Sequence, residues 1–116
     1  MSVNRFQFTG NLTRDTELRY TGDDKASGFF DIAVTTTWRD GSGKESSETN
    51  YPRIKFFGRA AENHAKYLGK GSTVYVEGRV KTTSWEKDGV RHYGTDFVAD
   101  HVEYFNTKPP AGSPSN

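Results

Sequence analysis

The chain has 116 residues and almost balanced charge, 16 Lys+Arg against 15 Asp+Glu, with a mean hydropathy of −0.86. That length suits one domain with a real core and excludes a large cleft between catalytic domains. The absence of cysteine excludes disulfides, thiolate nucleophiles and sulfur-ligated zinc.

Near-neutral net charge does not by itself announce a nucleic-acid binder; only clustered cations would. Two Trp, six Tyr and eight Phe are many for so polar a chain, so some aromatics belong at the surface or in an interface. No apolar run approaches the roughly 18 residues a membrane span needs. The start, Met1-Ser2-Val3-Asn4-Arg5, lacks the apolar stretch of a secretory signal. A cytoplasmic, nucleoid-associated location is the expectation, with no membrane partner.

In chain order, Phe6, Phe8, Gly10 and Leu12 alternate with polar residues, which predicts a strand with one buried face, and Gly10 marks a bulge or sharp bend. Thr13 to Leu18 reads as polar and turn-like, with a short extended piece at Arg19-Tyr20 and a turn over Thr21–Lys25. Phe29 to Trp38 is the second strand, with Phe30, Ile32 and Val34 on one face. Arg39 to Thr49 reads as a long polar loop, functional or mobile. Tyr51 to Phe57 is the third strand. Its Pro52, Ile54 and Phe56 face a core, while Tyr51, Arg53, Lys55 and Phe57 share the other face. Pro52 has no N–H to give, so it belongs at the strand's start, at a bulge or on an unpaired edge.

Arg59 to Leu68 predicts a helix, with Ala61, His64, Ala65 and Leu68 on one stripe and Gly69 as its stop. Thr73 to Lys81 is the fourth strand, extended as an arm through Trp85 and turned at Asp88-Gly89. Arg91 to Phe105 returns as the fifth, bent near Asp100. Residues 107–116 form a short Pro/Gly/Ser tail, disordered by composition, which leaves 1–106 as the folded domain. Three strands, one helix, then two strands, kinked by glycine, is the order of an all-β, five-stranded OB-fold Greek-key barrel with its helix between strands 3 and 4.

A strand face that reads ring, cation, cation, ring suits a nucleobase and its phosphate: a π-face to stack on and positive charge beside it. Trp38 and Trp85 flank loops and add two more rings. The candidate single-strand-binding residues are therefore Trp38, Arg39, Tyr51, Arg53, Lys55, Phe57, Arg59, Lys70, Lys81 and Trp85. Acids cluster apart from them in sequence: Asp15, Glu17, Asp23 and Asp24, then Asp96, Asp100 and Glu103. The bland alternatives are core or subunit packing for the rings and a solvated surface for each cation. Catalysis is not expected: His64, His92 and His101 form no metal or nucleophile motif, and Gly69-Lys70-Gly71-Ser72 lacks the six-residue phosphate-loop frame. No metal or other cofactor is expected.

The chain resembles the bacterial and phage homotetrameric single-stranded DNA-binding proteins. The resemblance rests on Gly10-Asn11-Leu12 with Arg19-Tyr20, on Trp38-Arg39-Asp40 and on Phe57-Gly58-Arg59-Ala60-Ala61-Glu62. It continues through the run Tyr67 to Val80 and through Thr82–Trp85 with Asp88-Gly89 and Tyr93. It implies an OB-fold, assembly as a homotetramer, and single-stranded DNA wrapped around the outside and stacked on Trp38, Tyr51, Phe57 and Trp85. Tyr51 stands where the family usually has Trp, and Pro52 where His is common, close to subunit contacts. Such proteins usually end in an acidic tip that recruits repair proteins; with no acid after Glu103, that recruitment is not expected here. The expected function is sequence-independent binding and protection of single-stranded DNA in replication, recombination and repair. The rivals are an OB-fold module that chiefly binds protein, and an RNA-preferring relative.

Overall fold

A computed structural model describes residues 2–110. Seven strands and one helix follow in the order β1 (Phe6–Leu12), β2 (Glu17–Tyr20), β3 (Ala26–Arg39), β4 (Glu45–Asn50), β5 (Arg53–Phe57), α1 (Arg59–Tyr67), β6 (Thr73–Lys87) and β7 (Val90–Asn106). Five of them close a barrel: β1 pairs β6, β6 pairs β7, β7 pairs β5, β5 pairs β3, and β3 returns to β1 through Asn11↔Ala33 and Leu12↔Ile32. The β5–β7 seam is parallel and the others are antiparallel. This is the five-stranded OB-type barrel the alternation predicts, with α1 between the third and fourth barrel strands.

The period-two patterns place Phe6, Leu12, Phe30, Ile32, Ile54, Phe56, Val74 and Val76 inside, with Ala61 and Leu68 from the helix side. Each fully buried Val, Ile, Leu or Phe stabilises the fold by about 1.5–3 kcal/mol relative to an exposed one. The rings pack edge to face or tilted: Phe30 against Phe56 at 5.1 Å, and Phe97 against Phe6 and Phe8 at 5.2 and 5.4 Å. His64 closes the helix side. Its Nδ1 lies 2.6 Å from the Tyr104 hydroxyl, and its ring meets Phe56 edge-on at 4.7 Å.

Two glycines allow the closure. A Cβ at Gly10 would stand 2.4 Å from the Ala33 carbonyl oxygen where β1 crosses β3. At Gly78 it would stand 1.9 Å from that of Val98. There the register jumps from Glu77↔His101 to Gly78↔Ala99, which leaves Asp100 as the extra residue of a bulge, at the bend expected in β7.

Three expectations need correction. Residues 39–49 are not a long loop. Glu45–Asn50 form β4, paired with β3 from Val34↔Asn50 to Arg39↔Glu45, so only Asp40 to Lys44 turn. The strand carries no apolar residue to betray it; its backbone ladder and a Thr35–Thr49 hydroxyl contact of 2.9 Å hold it. The Asp40 carboxylate organises the turn, accepting from the Ser42 hydroxyl and from the Ser42 and Lys44 amides, and these bonds hold its pKa below the usual value. Leu18, read as turn, lies in β2, which adds to the edge of β3. The start of the tail is tied down: the Lys108 carbonyl accepts from the Gly69 amide at 2.7 Å, and the Lys108 amide donates to the Ser72 hydroxyl at 2.9 Å. The remainder of the tail, residues 111–116, lies outside the described residues.

Candidate nucleic-acid interface

Alternation along β5 sends Ile54 and Phe56 inward, at 0% and 2% exposure, and leaves Phe57 outside at 60%. Pro52 precedes the strand, where a missing N–H costs no ladder bond, and its carbonyl accepts from the Ile32 amide. Register then decides the neighbours. Asp31↔Arg53, Phe29↔Lys55 and Ser27↔Phe57 face each other across β3 and β5. A shallow groove of about 350 Å³ opens here, lined by Arg19, Gly28, Phe29, Arg53, Lys55, Phe57 and Asp96 among others.

The cations in this groove are not bare. Arg53 donates from Nε and Nη2 to the two oxygens of Asp31 at 2.8 and 3.2 Å. Lys55 Nζ lies 3.0 Å from Asp96. Beside the groove, Arg79 pairs with Asp100 at 2.7 Å. The Arg53 hydrogen bond is the largest influence on the Asp31 carboxyl and holds it below its ordinary value; the same bond raises the guanidinium. The expected segregation of acids from cations therefore fails for Asp96 and Asp100. They are remote in sequence, but β7 lies beside β5 and β6, and its outward residues meet theirs. Among the described residues, Arg39, Arg59, Lys70 and Lys81 are in no ion pair.

β6 carries the groove face outward. Arg79, Lys81, Thr83 and Trp85 share a side, and Lys81 stands opposite Asp96. Trp85 is 50% exposed and lies opposite His92, with its ring stacked on the imidazole at 5.7 Å and 19°. The arm ends in a two-residue turn in which Asp88 (φ 54°) and Gly89 (φ 77°) are both left-handed, the geometry that matches strand twist and that Asp-Gly favours.

Tyr51 belongs elsewhere. It is 66% exposed and lines a second hollow of about 580 Å³ with Gln7, Phe8, Val34, Thr36, Pro52 and others, none of which lines the first. Trp38, 45% exposed, follows Val34 and Thr36 on one side of β3 and pairs with Ser46 of β4. Arg39 follows it at the tip, opposite Glu45. The single face of Tyr51, Arg53, Lys55 and Phe57 is thus split between two hollows. Arg59 starts α1 beside Phe57. Lys70 sits beyond the helix's other end, where its amide donates to Asp15, and it lines neither hollow. Residues absent from the expected set also gather at the first groove, above all Phe29, with the Arg53 guanidinium carbon 4.1 Å from its ring centre. The signal was present in Phe29 and Asp31 alternating on the outer face of β3, but their partners on β5, Arg53 and Lys55, 22 or more residues away, come only from register.

Among the described residues no helix is long and apolar enough to cross a membrane, and no group of three or more His, Asp or Glu is placed to hold a metal ion. The model of the single-strand binding protein family matches residues 3–105. A curated relative, single-stranded DNA-binding protein 1 of Xylella fastidiosa, is 35% identical over 109 residues, covering 92% of this chain and 80% of its own. Among solved structures, a deletion mutant of the single-stranded DNA binding protein from Thermus aquaticus superposes with a TM-score of 0.82 at 31% identity. That match covers 90% of this chain but 51% of the Thermus chain, so this chain spans about half its length. A Plasmodium falciparum single-strand binding protein in complex with single-stranded DNA shares the fold, with a TM-score of 0.81 at 22% identity over 91% and 97% of the two chains.

Proposed function

The chain belongs to the single-strand binding protein family, and on that premise we propose that it binds single-stranded DNA without sequence preference and without catalysis. The observation that carries this reading is the exposure of Trp38, Tyr51, Phe57 and Trp85, each 45–66% open on the barrel or its arms although a full apolar core exists beneath them. Unpaired bases stack on such rings, each contributing about 1–3 kcal/mol whatever the base. Arg39, Arg59 and Lys81, which carry no ion pair among the described residues, neutralise phosphates and release counterions. Arg53 and Lys55 start from carboxylate partners, so they contribute less to salt dependence than their charge suggests. Duplex hides its base faces and binds weakly.

The role follows: coating of single strands exposed in replication, recombination and repair, in the cytoplasm at the nucleoid. Assembly as a homotetramer is part of the same reading, supported by open strand edges that a partner subunit would cover. Its check is a solution mass near four chains of 13.0 kDa by light scattering.

Titration with oligo-dT at several salt concentrations, followed by tryptophan fluorescence, tests the binding. Quenching that weakens as salt rises supports it. Full fluorescence at low salt with saturating oligo-dT overturns it. Trp38 and Trp85 replaced together by Ala separate this reading from a protein-docking module, which would keep whatever weak affinity it has. That variant has no tryptophan, so its binding is measured with dye-labelled oligo-dT by anisotropy.

A further inference from the structure

Arg14, Phe29, Asp31 and Arg53 form one unit on the outer face of the barrel. Asp31 accepts from Arg53 Nε and Nη2, and its Oδ2 also lies 3.1 Å from Arg14. Both guanidinium carbons lie over the same ring, Arg53 at 4.1 Å and Arg14 at 5.5 Å from the Phe29 centroid. The Asp31 side chain is 18% exposed, that of Arg53 49%. Arg53 is therefore fixed from below by a ring and along its edge by a carboxylate, while half of its surface opens into the groove that Phe57 and Lys55 also line.

We infer that Arg53 is a base-stacking plate, held in place by Asp31 and Phe29, and not a phosphate contact. The inference deepens the DNA-binding reading and rests on it. A guanidinium is planar and delocalised, stacks readily on π-faces and is weakly hydrated. Asp31 already takes the Nε and one Nη2 proton of Arg53, so a phosphate could reach only the remaining Nη protons and would add a second anion beside that carboxylate, which offsets much of the gain. A base needs only the open face, and leaves the Asp31 pair intact. A ring on one side and a nucleobase on the other would make a three-layer stack of Phe29, Arg53 and base, with Phe57 four residues further along β5 in the same groove, opposite Ser27 on β3. Arg53 thereby joins the rings as a contact that reads no sequence, and drops out of the count of phosphates.

Arg53→Lys and the charge-balanced double variant Arg53→Gln/Asp31→Asn test this against oligo-dT over a range of salt. Lysine keeps the positive charge but has no plane. It should lose roughly ten-fold in affinity with an unchanged slope of log K against log salt. The double variant should also bind more weakly, at the wild-type slope. A phosphate contact predicts the reverse: Arg53→Lys binds like wild type, and the double variant flattens the slope by about 0.7, the value of one phosphate on a single strand. Either of those results overturns the inference. Thermal unfolding of both variants confirms that they are folded, and Lys81→Gln serves as the control whose slope should fall. Wild-type protein that fails to bind oligo-dT at low salt overturns the DNA-binding reading itself, whereas a binding wild type with phosphate-like variants overturns only the role of Arg53.

Discussion

The barrel and its two arms are built on opposite principles. Inside the barrel, burial does the stabilising: Phe30, Ile32, Ile54, Val74 and Val76 are all at 0% exposure. In the β3–β4 and β6–β7 arms both faces meet solvent, from Thr35 to Arg39 on one and from Ser84 to Tyr93 on the other. Backbone ladders, the Asp40 turn and the Asp88-Gly89 turn hold the arms instead. Side chains in an arm lie outside the core, and that is where both tryptophans stand. In the proposed function, stability and binding are carried by different residues.

The sharpest way to break this division is a core truncation. Phe30→Ala should cost about 3–5 kcal/mol of unfolding free energy, measured by denaturant titration, whereas Trp38→Ala and Trp85→Ala should stay within about 0.5 kcal/mol of wild type. A tryptophan variant as damaging as Phe30→Ala would merge the two regions.

Acid comes next. Burial lowers the His64 pKa to about 4 from the ordinary 6.5. Above pH 6.5 both folded and unfolded states keep the ring neutral and it contributes no slope. Between 6.5 and about 4 the unfolded state takes a proton that the folded state refuses, so stability should fall as pH falls, by roughly 3 kcal/mol in all. Burial also raises the Tyr104 hydroxyl, so it stays protonated beside a neutral His64. His64→Gln should flatten the stability-versus-pH curve in this window. An unaltered slope in that variant would show that other groups govern it.

The binding side yields smaller numbers. Trp38→Ala should weaken oligo-dT binding by about 1–3 kcal/mol, and Trp85→Ala should fall toward the lower end because His92 already covers one face of its ring. Isothermal titration resolves both. Least of all, Gly89→Ala forces a side chain into φ 77° and should strain the turn by about 1 kcal/mol. Amide exchange should quicken at the tip of the β6–β7 arm and nowhere in the barrel.

How much of this was legible follows from the same division. Alternation revealed β1, β3, β5, β6 and β7, because one face of each is apolar. It missed β4, since Glu45-Ser46-Ser47-Glu48-Thr49-Asn50 has nothing to alternate. The exposed rings were legible as residues left over once each core face was filled. Their grouping was not: Tyr51 and Phe57 share a side of one sequence stretch, yet β5 begins only at Arg53 and the two open onto different hollows. Charge was least legible. Asp31 with Arg53 and Asp96 with Lys55 meet through strand register, which a count of charges along the chain does not contain.

The parallel seam between β5 and β7 joins Ile54 to Phe97 and Lys55 to Val98, and the strand that completes it is the last to be made. Until β7 arrives, β5 has an unpaired edge and Phe6 and Phe8 lack the ring of Phe97. Such distant pairings must bear the entropy of loop closure before they return any contact, which places folding on the millisecond-to-second scale typical of β-barrels. On the ribosome the nascent chain therefore waits, with an open sheet edge exposed, for its final strand.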